Sequence, residues 1–253
     1  MKRFVFYGCY ALAAYVIGMG SLVYLVGFLA GAPLPKTVDA GLAPSLPSAL
    51  AGNLVMLVAF LVPHSIMARP RFKAAWTRIV PAALERATYI LVAGVSLLLL
   101  MWAWQPMPSV IWQLDSAPAR ALAYLGYGLG WVTIVLATFN IDHFQFFGLR
   151  QVWDALRRRP RRTASFTAAW LYGLVRHPIS LGWLFVFWST PRMTVGHLVL
   201  AAGMSIYIAI VTPIEEADLI AELGDDYVGY RARVRAFLPW RRSTAPRTAA
   251  RPG

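Results

Sequence analysis

The feature that most constrains this chain is a series of apolar blocks, at residues 4–30, 49–67, 87–104, 121–139, 180–190 and 195–213. A helix needs roughly 20 consecutive apolar residues to cross a bilayer core. All but the block at 180–190 approach or exceed that length. In hydrocarbon every backbone N–H and C=O must be satisfied within the protein, which leaves helices or closed barrels. Continuous apolar runs, rather than strict alternation, select helices. Only 14% of the residues are charged, against about a quarter in soluble domains. The expected fold is all-α: a polytopic transmembrane helical bundle of about five to six spans, with a C-terminal segment on the cytoplasmic side.

The apolar run from Phe4 to Ala30 is too long for a typical signal-peptide core and has no clear cleavage site, so it reads as a retained first span. Residues 31–48, rich in Pro, Gly and Ala, read as an external connection. The short fifth block gains length only if it extends back through Trp170–Val175. Thr190–Thr194 then separates it from the sixth, as in a helical hairpin that returns quickly. Residues 1–240 read as one membrane domain, with four spans in 1–140 and a distinct remainder in 141–240. Residues 241–253, mostly Arg, Pro, Ala and Thr, read as a disordered tail.

Net charge is +13, yet all of the 24 Lys and Arg except Lys36, Arg120 and Arg192 lie in residues 1–3, 69–86, 150–176 and 231–253. This alternation places both termini and the basic loops in the cytoplasm, facing anionic lipid. The stretch Arg157–Arg162 reads as a lipid-facing basic loop. No nucleic-acid-binding module accompanies the charge, so no nucleic-acid partner is expected. The single cysteine, Cys9, excludes an intramolecular disulfide and reads as a small core residue. Four histidines, with His197 expected on the opposite side from His177, are too few for a His-rich di-iron site, and no metal is expected.

Six of the eleven acidic residues fall between 215 and 226: Glu215, Glu216, Asp218, Glu222, Asp225 and Asp226. Glu215 and Glu216 sit at the end of the sixth apolar block. A carboxylate at a membrane edge is costly unless paired, which marks both as functional candidates. Asp225 and Asp226 read instead as a solvated helix face. The acids cluster at one edge rather than at the midplane, where carriers bind substrate, so a transporter is disfavoured. A second cluster, Arg176-His177-Pro178, follows Tyr172-Gly173 at the entry to the fifth block. A residue before Pro is pushed out of the helical region, so His177 marks a helix boundary.

From Glu215 the chain reads Glu-Glu-x-x-Leu-x-x-x-Leu-Gly-x-x-Tyr-x-x-Tyr-Arg-x-Arg-Val. With Arg176-His177-Pro178, this resembles the isoprenylcysteine carboxyl methyltransferase family and its NnrU-like bacterial relatives. The matching positions are Arg176, His177, Pro178, Gly182, Glu215, Glu216, Leu219, Gly224, Tyr227, Tyr230 and Arg231. Ser180 and Leu223 depart from the Tyr and Phe common in that family. Longer strings, His64–Arg69, His143–Trp153 and Phe187–His197, resemble the bacterial methanethiol S-methyltransferase family. The resemblance implies an S-adenosylmethionine-dependent membrane enzyme of the bacterial inner membrane, acting on a small volatile thiol. A selenol or a lipid-borne carboxylate is the alternative acceptor, and a non-enzymatic NnrU-like protein the alternative class.

The resemblance also implies a cofactor pocket formed by the helix start bearing Arg-His-Pro and the C-terminal Glu-Glu segment. In that reading Glu215 or Glu216 pairs the cofactor ammonium. Tyr172, Trp183, Tyr207 and Tyr227 offer ring faces to a sulfonium, a contact worth about 0.5–2 kcal/mol. Arg176 binds the cofactor carboxylate or favours a thiolate by charge. His177 orients the cofactor, because a small thiol titrates well above a histidine. Tyr230 and Arg231 complete the cofactor side. His143 and Arg150, with His64, Arg69 and Phe147, are candidates for the substrate side.

Overall fold

The computed structural model describes residues 2–160 and 168–239, so the expected tail at 241–253, and Arg161 and Arg162 of the basic stretch, lie outside the described residues. Five helices are long and apolar enough to cross a membrane: α1 (Lys2–Ala30), α2 (Leu46–Ala68), α4 (Glu85–Ala103), α5 (Ala117–Asn140) and α10 (Val195–Leu223). Shorter helices join them: α3 (Pro70–Trp76), α6 (His143–Phe146), α7 (Leu149–Leu156), α8 (Leu171–Leu174), α9 (Pro178–Trp188) and α11 (Asp225–Arg233). The bundle expected from the apolar blocks is therefore present.

Helix starts follow local chemistry. Ser116 and Thr194 accept from the amides of Ala119 and His197, and Asp142 accepts from that of Gln145. These capping bonds satisfy first-turn amides left without intrahelical partners. Pro occupies the start of α2, α3, α5 and α9, where its missing N–H is not needed.

The chain departs from expectation at the fifth block. α9 does not extend back through Trp170–Val175: α8 stands apart, and Val175 is extended. Nor is the return to α10 a bare hairpin. Residues Arg192–Thr194 form strand β2, which pairs antiparallel with β1 (Val110–Gln113). Alternation over so few residues is too weak a signal to read from sequence. The eleven residues of α9 rise only about 16 Å. His177 nevertheless touches Glu216 near the far end of α10, while Thr194 caps its start. Residues 177–194 therefore cross the full bundle, as one short helix with extended ends.

The main core packs Phe28, Leu57, Leu100, Ile134, Val186 and Leu200 from six helices, with Trp104 just past the end of α4. A second cluster joins Tyr7, Ala11 and Ala14 to Leu84, Ala87 and Val152, which brings the start of α1 to the end of the bundle that carries α7 and the start of α4. Cys9 is exposed on the outer surface of α1, which corrects its reading as a core residue: its neighbours Tyr7 and Ala11 face inward instead.

Candidate active site

Arg176 and His177 lie just before α9, and both backbone amides donate to a neighbouring segment, to the carbonyls of Arg235 (2.9 Å) and Ala236 (3.1 Å). That segment follows α11, so the Arg-His-Pro entry and the C-terminal motif are stitched together by main chain. Side chains close the junction around Glu216. Arg176 Nε and Nη2 donate to Glu216 Oε1 at 2.8 and 2.6 Å, and His177 Nε2 meets the same oxygen at 3.0 Å. Arg231 approaches Glu216 Oε2 at 3.7 Å. Arg176 also donates to the carbonyls of Arg231 and Val234. Glu216 and His177 are buried, at 7% and 8% exposure.

Tyr227 and Tyr230 are buried against Leu219, Ile220 and Leu223. The Tyr230 hydroxyl donates to the Tyr172 carbonyl at 2.6 Å, tying α8 to α11. Burial pushes the Tyr227 and Tyr230 phenols up to about 12, and raises that of Tyr172 further. All three are neutral donors at physiological pH. Pro178 opens α9, and His177 stacks obliquely on Phe237. Gly182 faces α5, where an added Cβ would sit 2.8 Å from the Gly130 carbonyl. It allows α5 and α9 to touch backbone to backbone. Trp183 packs on Trp131 and Phe187 in the main core.

Glu215 is the contrasting carboxylate. It makes no hydrogen bond or ion pair with any described residue, although His177, Arg69 and Asp218 lie within electrostatic range. Tyr172, Tyr89 and Tyr207 also lie within electrostatic range of it. Arg69 itself is engaged, by Asp218 at 2.8 Å and by the Ser65 carbonyl at 3.2 Å.

Beyond Tyr207 lies a second polar group in aromatic surroundings. His64 Nε2 meets the Tyr89 hydroxyl at 3.0 Å, and its ring lies near those of Phe60 and Tyr207. The Arg86 guanidinium covers the faces of Tyr89 and Phe146, at 4.7 and 4.8 Å from the ring centroids. Arg86 and Tyr89 escaped the sequence reading because neither belongs to a motif; position 86 looked like one more basic flank.

His143 and Phe147 adjoin this group through a cluster containing Tyr89, Phe146 and Tyr15. His143 is committed on both nitrogens, to Tyr15 (3.1 Å) and Thr138 (2.9 Å), and stacks on Phe139. Arg150 pairs with Asp142 at 3.1 Å. It lines a separate cavity of about 150 Å³ with Gln145, Gln151 and Asp154, remote from Glu216. The structure thus gathers Tyr172, Arg176, His177, Glu216, Tyr227, Tyr230 and Arg231 into one knot. Glu215 and Tyr207 stand beside it, with His64 and Arg69 beyond them. Gly182, Trp183 and Arg150 are not brought into the knot.

Against known proteins, the chain is 46% identical over 242 residues to a methanethiol S-methyltransferase of Mycobacterium tuberculosis, covering 95% of this chain and 98% of that one. It is 43% identical over 234 residues to methanethiol S-methyltransferase 1 of Bradyrhizobium diazoefficiens, covering 92% and 82%. The chain belongs to the methanethiol S-methyltransferase family. Human Nurim is a more distant relative of this family, 28% identical over 230 residues and covering 83% of this chain and 87% of Nurim. No family model matches the chain, and no solved structure matches it. Within this family's chemistry, methyl transfer, the site has two halves: a charged knot and an aromatic group, with Glu215 between them.

Proposed function

We propose that this chain transfers a methyl group from S-adenosylmethionine to the sulfur of methanethiol, forming dimethyl sulfide and S-adenosylhomocysteine. The observation that carries the reading is the uncommitted carboxylate of Glu215, standing between the charged knot and the aromatic group in a chain of this family. S-adenosylmethionine supplies a methyl carbon on a sulfonium, which a sulfur nucleophile attacks in line. The residues present fit that donor. Glu215 is free to take its ammonium, Tyr172 and Tyr207 offer ring faces to a sulfonium, and the half-exposed Arg231, only loosely held by Glu216, has donors to spare for a carboxylate.

The division of labour differs from one in which both glutamates bind the donor. Glu216 neutralises Arg176, His177 and Arg231 and holds the pocket wall in shape. Arg176 acts as a positioning residue, since its donors are committed to Glu216 and to two carbonyls. Glu215 anchors. Desolvated walls then align nucleophile and methyl group, the chief contribution a protein makes to such a displacement. Methanethiol is apolar enough to arrive through lipid, whereas the charged donor arrives from water. In the proposed placement the enzyme lies in the bacterial inner membrane with both termini and this site on the cytoplasmic side, and residues 1–240 act as one domain.

The test is headspace dimethyl sulfide from purified enzyme given both reagents. Product that requires each reagent, and that falls at least tenfold in Glu215→Gln at limiting donor, is the expected result. No product from either protein would overturn the reading.

A further inference from the structure

We infer that Arg86 binds the acceptor as its thiolate, in the aromatic group beside Glu215. This inference rests on the proposed function above. The reaction needs a thiolate, yet even a cysteine thiol is only a few per cent ionised at neutral pH, and a simple alkyl thiol is a weaker acid still. A fixed cation that lowers the acceptor's pKa by one unit raises the reactive fraction about tenfold.

Arg86 has the properties such a cation requires. It lies in the first turn of α4, where the helix dipole disfavours positive charge, so its position is not explained by helix stability. Among the described residues no carboxylate forms an ion pair with it. Its Nε donates to the Phe146 carbonyl at 2.6 Å, and its guanidinium lies over the rings of Tyr89 and Phe146. The plane is therefore held at one edge and on its faces, while the terminal nitrogens keep donors free for an anion. The holding is built into the backbone. Gly148, at φ +88°, lets the turn after α6 approach so closely that an added Cβ would lie 2.7 Å from the Ala87 amide nitrogen.

The surroundings are aromatic, as suits a soft, weakly hydrated thiolate. Phe60, Tyr89, Phe146 and Tyr207 supply apolar walls near His64 and Arg86. The other candidate cations are already committed: Arg176 to Glu216, Arg69 to Asp218 and Arg150 to Asp142. Charged groups around the site come from every neighbouring element. His64 lies on α2, Arg69 at the junction of α2 and α3, Lys73 on α3, Glu85 and Arg86 on α4, and Glu215, Asp218 and Glu222 on α10. Lys73 reports the local field: burial, with repulsion from Arg86, pushes its ammonium below the ordinary lysine value despite Glu85 and Glu222.

In the step itself the S–H bond breaks heterolytically. The proton leaves to water, and the electron pair stays on sulfur. That pair forms the new bond to the methyl carbon as the carbon's bond to the donor sulfur breaks, its electrons returning to that sulfur.

The experiment titrates bound methanethiol by the ultraviolet absorbance of its thiolate, with S-adenosylhomocysteine filling the donor site. The thiol bound to the wild-type enzyme is expected to titrate at least one unit below the free thiol. Arg86→Met is expected to remove that shift and to lower kcat/KM for methanethiol at pH 7 at least tenfold, with recovery at higher pH and an unchanged KM for the donor. Arg86→Lys retains most of the shift. A bound thiol that titrates like the free one in the wild type, which no folding defect can explain, would overturn the inference. So would an unaltered pH profile in Arg86→Met. Wild-type enzyme that makes dimethyl sulfide while failing these tests retains the proposed function. Wild-type enzyme that makes none overturns both.

Discussion

Glu215 and Glu216 are neighbours in sequence and face different surroundings, because consecutive helical residues point about 100° apart. Glu216 turns into the knot with Arg176, His177 and Arg231; Glu215 makes no such contact with any described residue. Their substitutions should therefore separate. Glu216→Ala leaves Arg176 uncompensated in a buried site and should cost about 3–5 kcal/mol of stability, seen as a lower melting temperature in detergent. Glu215→Gln should melt like the wild type while its KM for the methyl donor rises. Equal destabilisation by both would refute this division. His143 gives a pH prediction. Burial holds its imidazole below the ordinary histidine value, with Asp142 opposing. The unfolded chain then binds the proton more readily, so the contribution is complete above about pH 6.5 and is lost as pH falls through the folded value. Melting temperature should drop between pH 7.5 and pH 5, and His143→Gln should flatten that slope. Parallel slopes in the two proteins would count against it.

Among the elements, α9 shows how a segment too short to span becomes part of the wall. Its contact with α5 depends on paired glycines, each added Cβ meeting the partner's carbonyl at 2.8 Å. Gly182→Leu cannot be absorbed by rotamer changes, since the obstacle is backbone. Overpacking of this kind costs typically 1–3 kcal/mol. The expected signature is a lower melting temperature together with weakened donor binding, because α9 carries His177 at its start. Unchanged melting would mean that α5 and α9 do not touch there. The length of α10 matters too. Its 29 residues rise about 43 Å, longer than the hydrocarbon core of roughly 30 Å. Its last turns, bearing Glu215 to Glu222, can therefore stand at the interface, where the proposed charged donor would arrive.

For the whole molecule, six passes bring the first turns of α1 and the segment after α11 to the same end of the bundle. That end carries Arg69, Arg86, Arg150 and Arg176, whereas Lys36, Arg120 and Arg192 lie at the other. The charge bias predicts a cytoplasmic site. A fluorescent reporter that matures only in the cytoplasm should be active at the C-terminus, and alkaline phosphatase should be active when inserted near Lys36. The reverse pattern would overturn the orientation.

The long spans and the sidedness of the charge were legible in the sequence alone, because hydrocarbon demands long apolar helices whatever the tertiary packing, whereas the crossing of the short fifth block was left open at about five to six spans. The knot was partly legible too, since Arg176-His177-Pro178 and Glu215-Glu216 stand out as charge in apolar surroundings. Their roles were not. Which of two adjacent glutamates is neutralised depends on the azimuth of α10 against α9. Whether His143 and Arg150 are free for chemistry depends on partners as distant in sequence as Tyr15, or supplied by the Asp142 turn. Arg86 is the clearest case. In sequence it is one basic residue among many, and only the fold lays it between two aromatic rings with donors free beside His64.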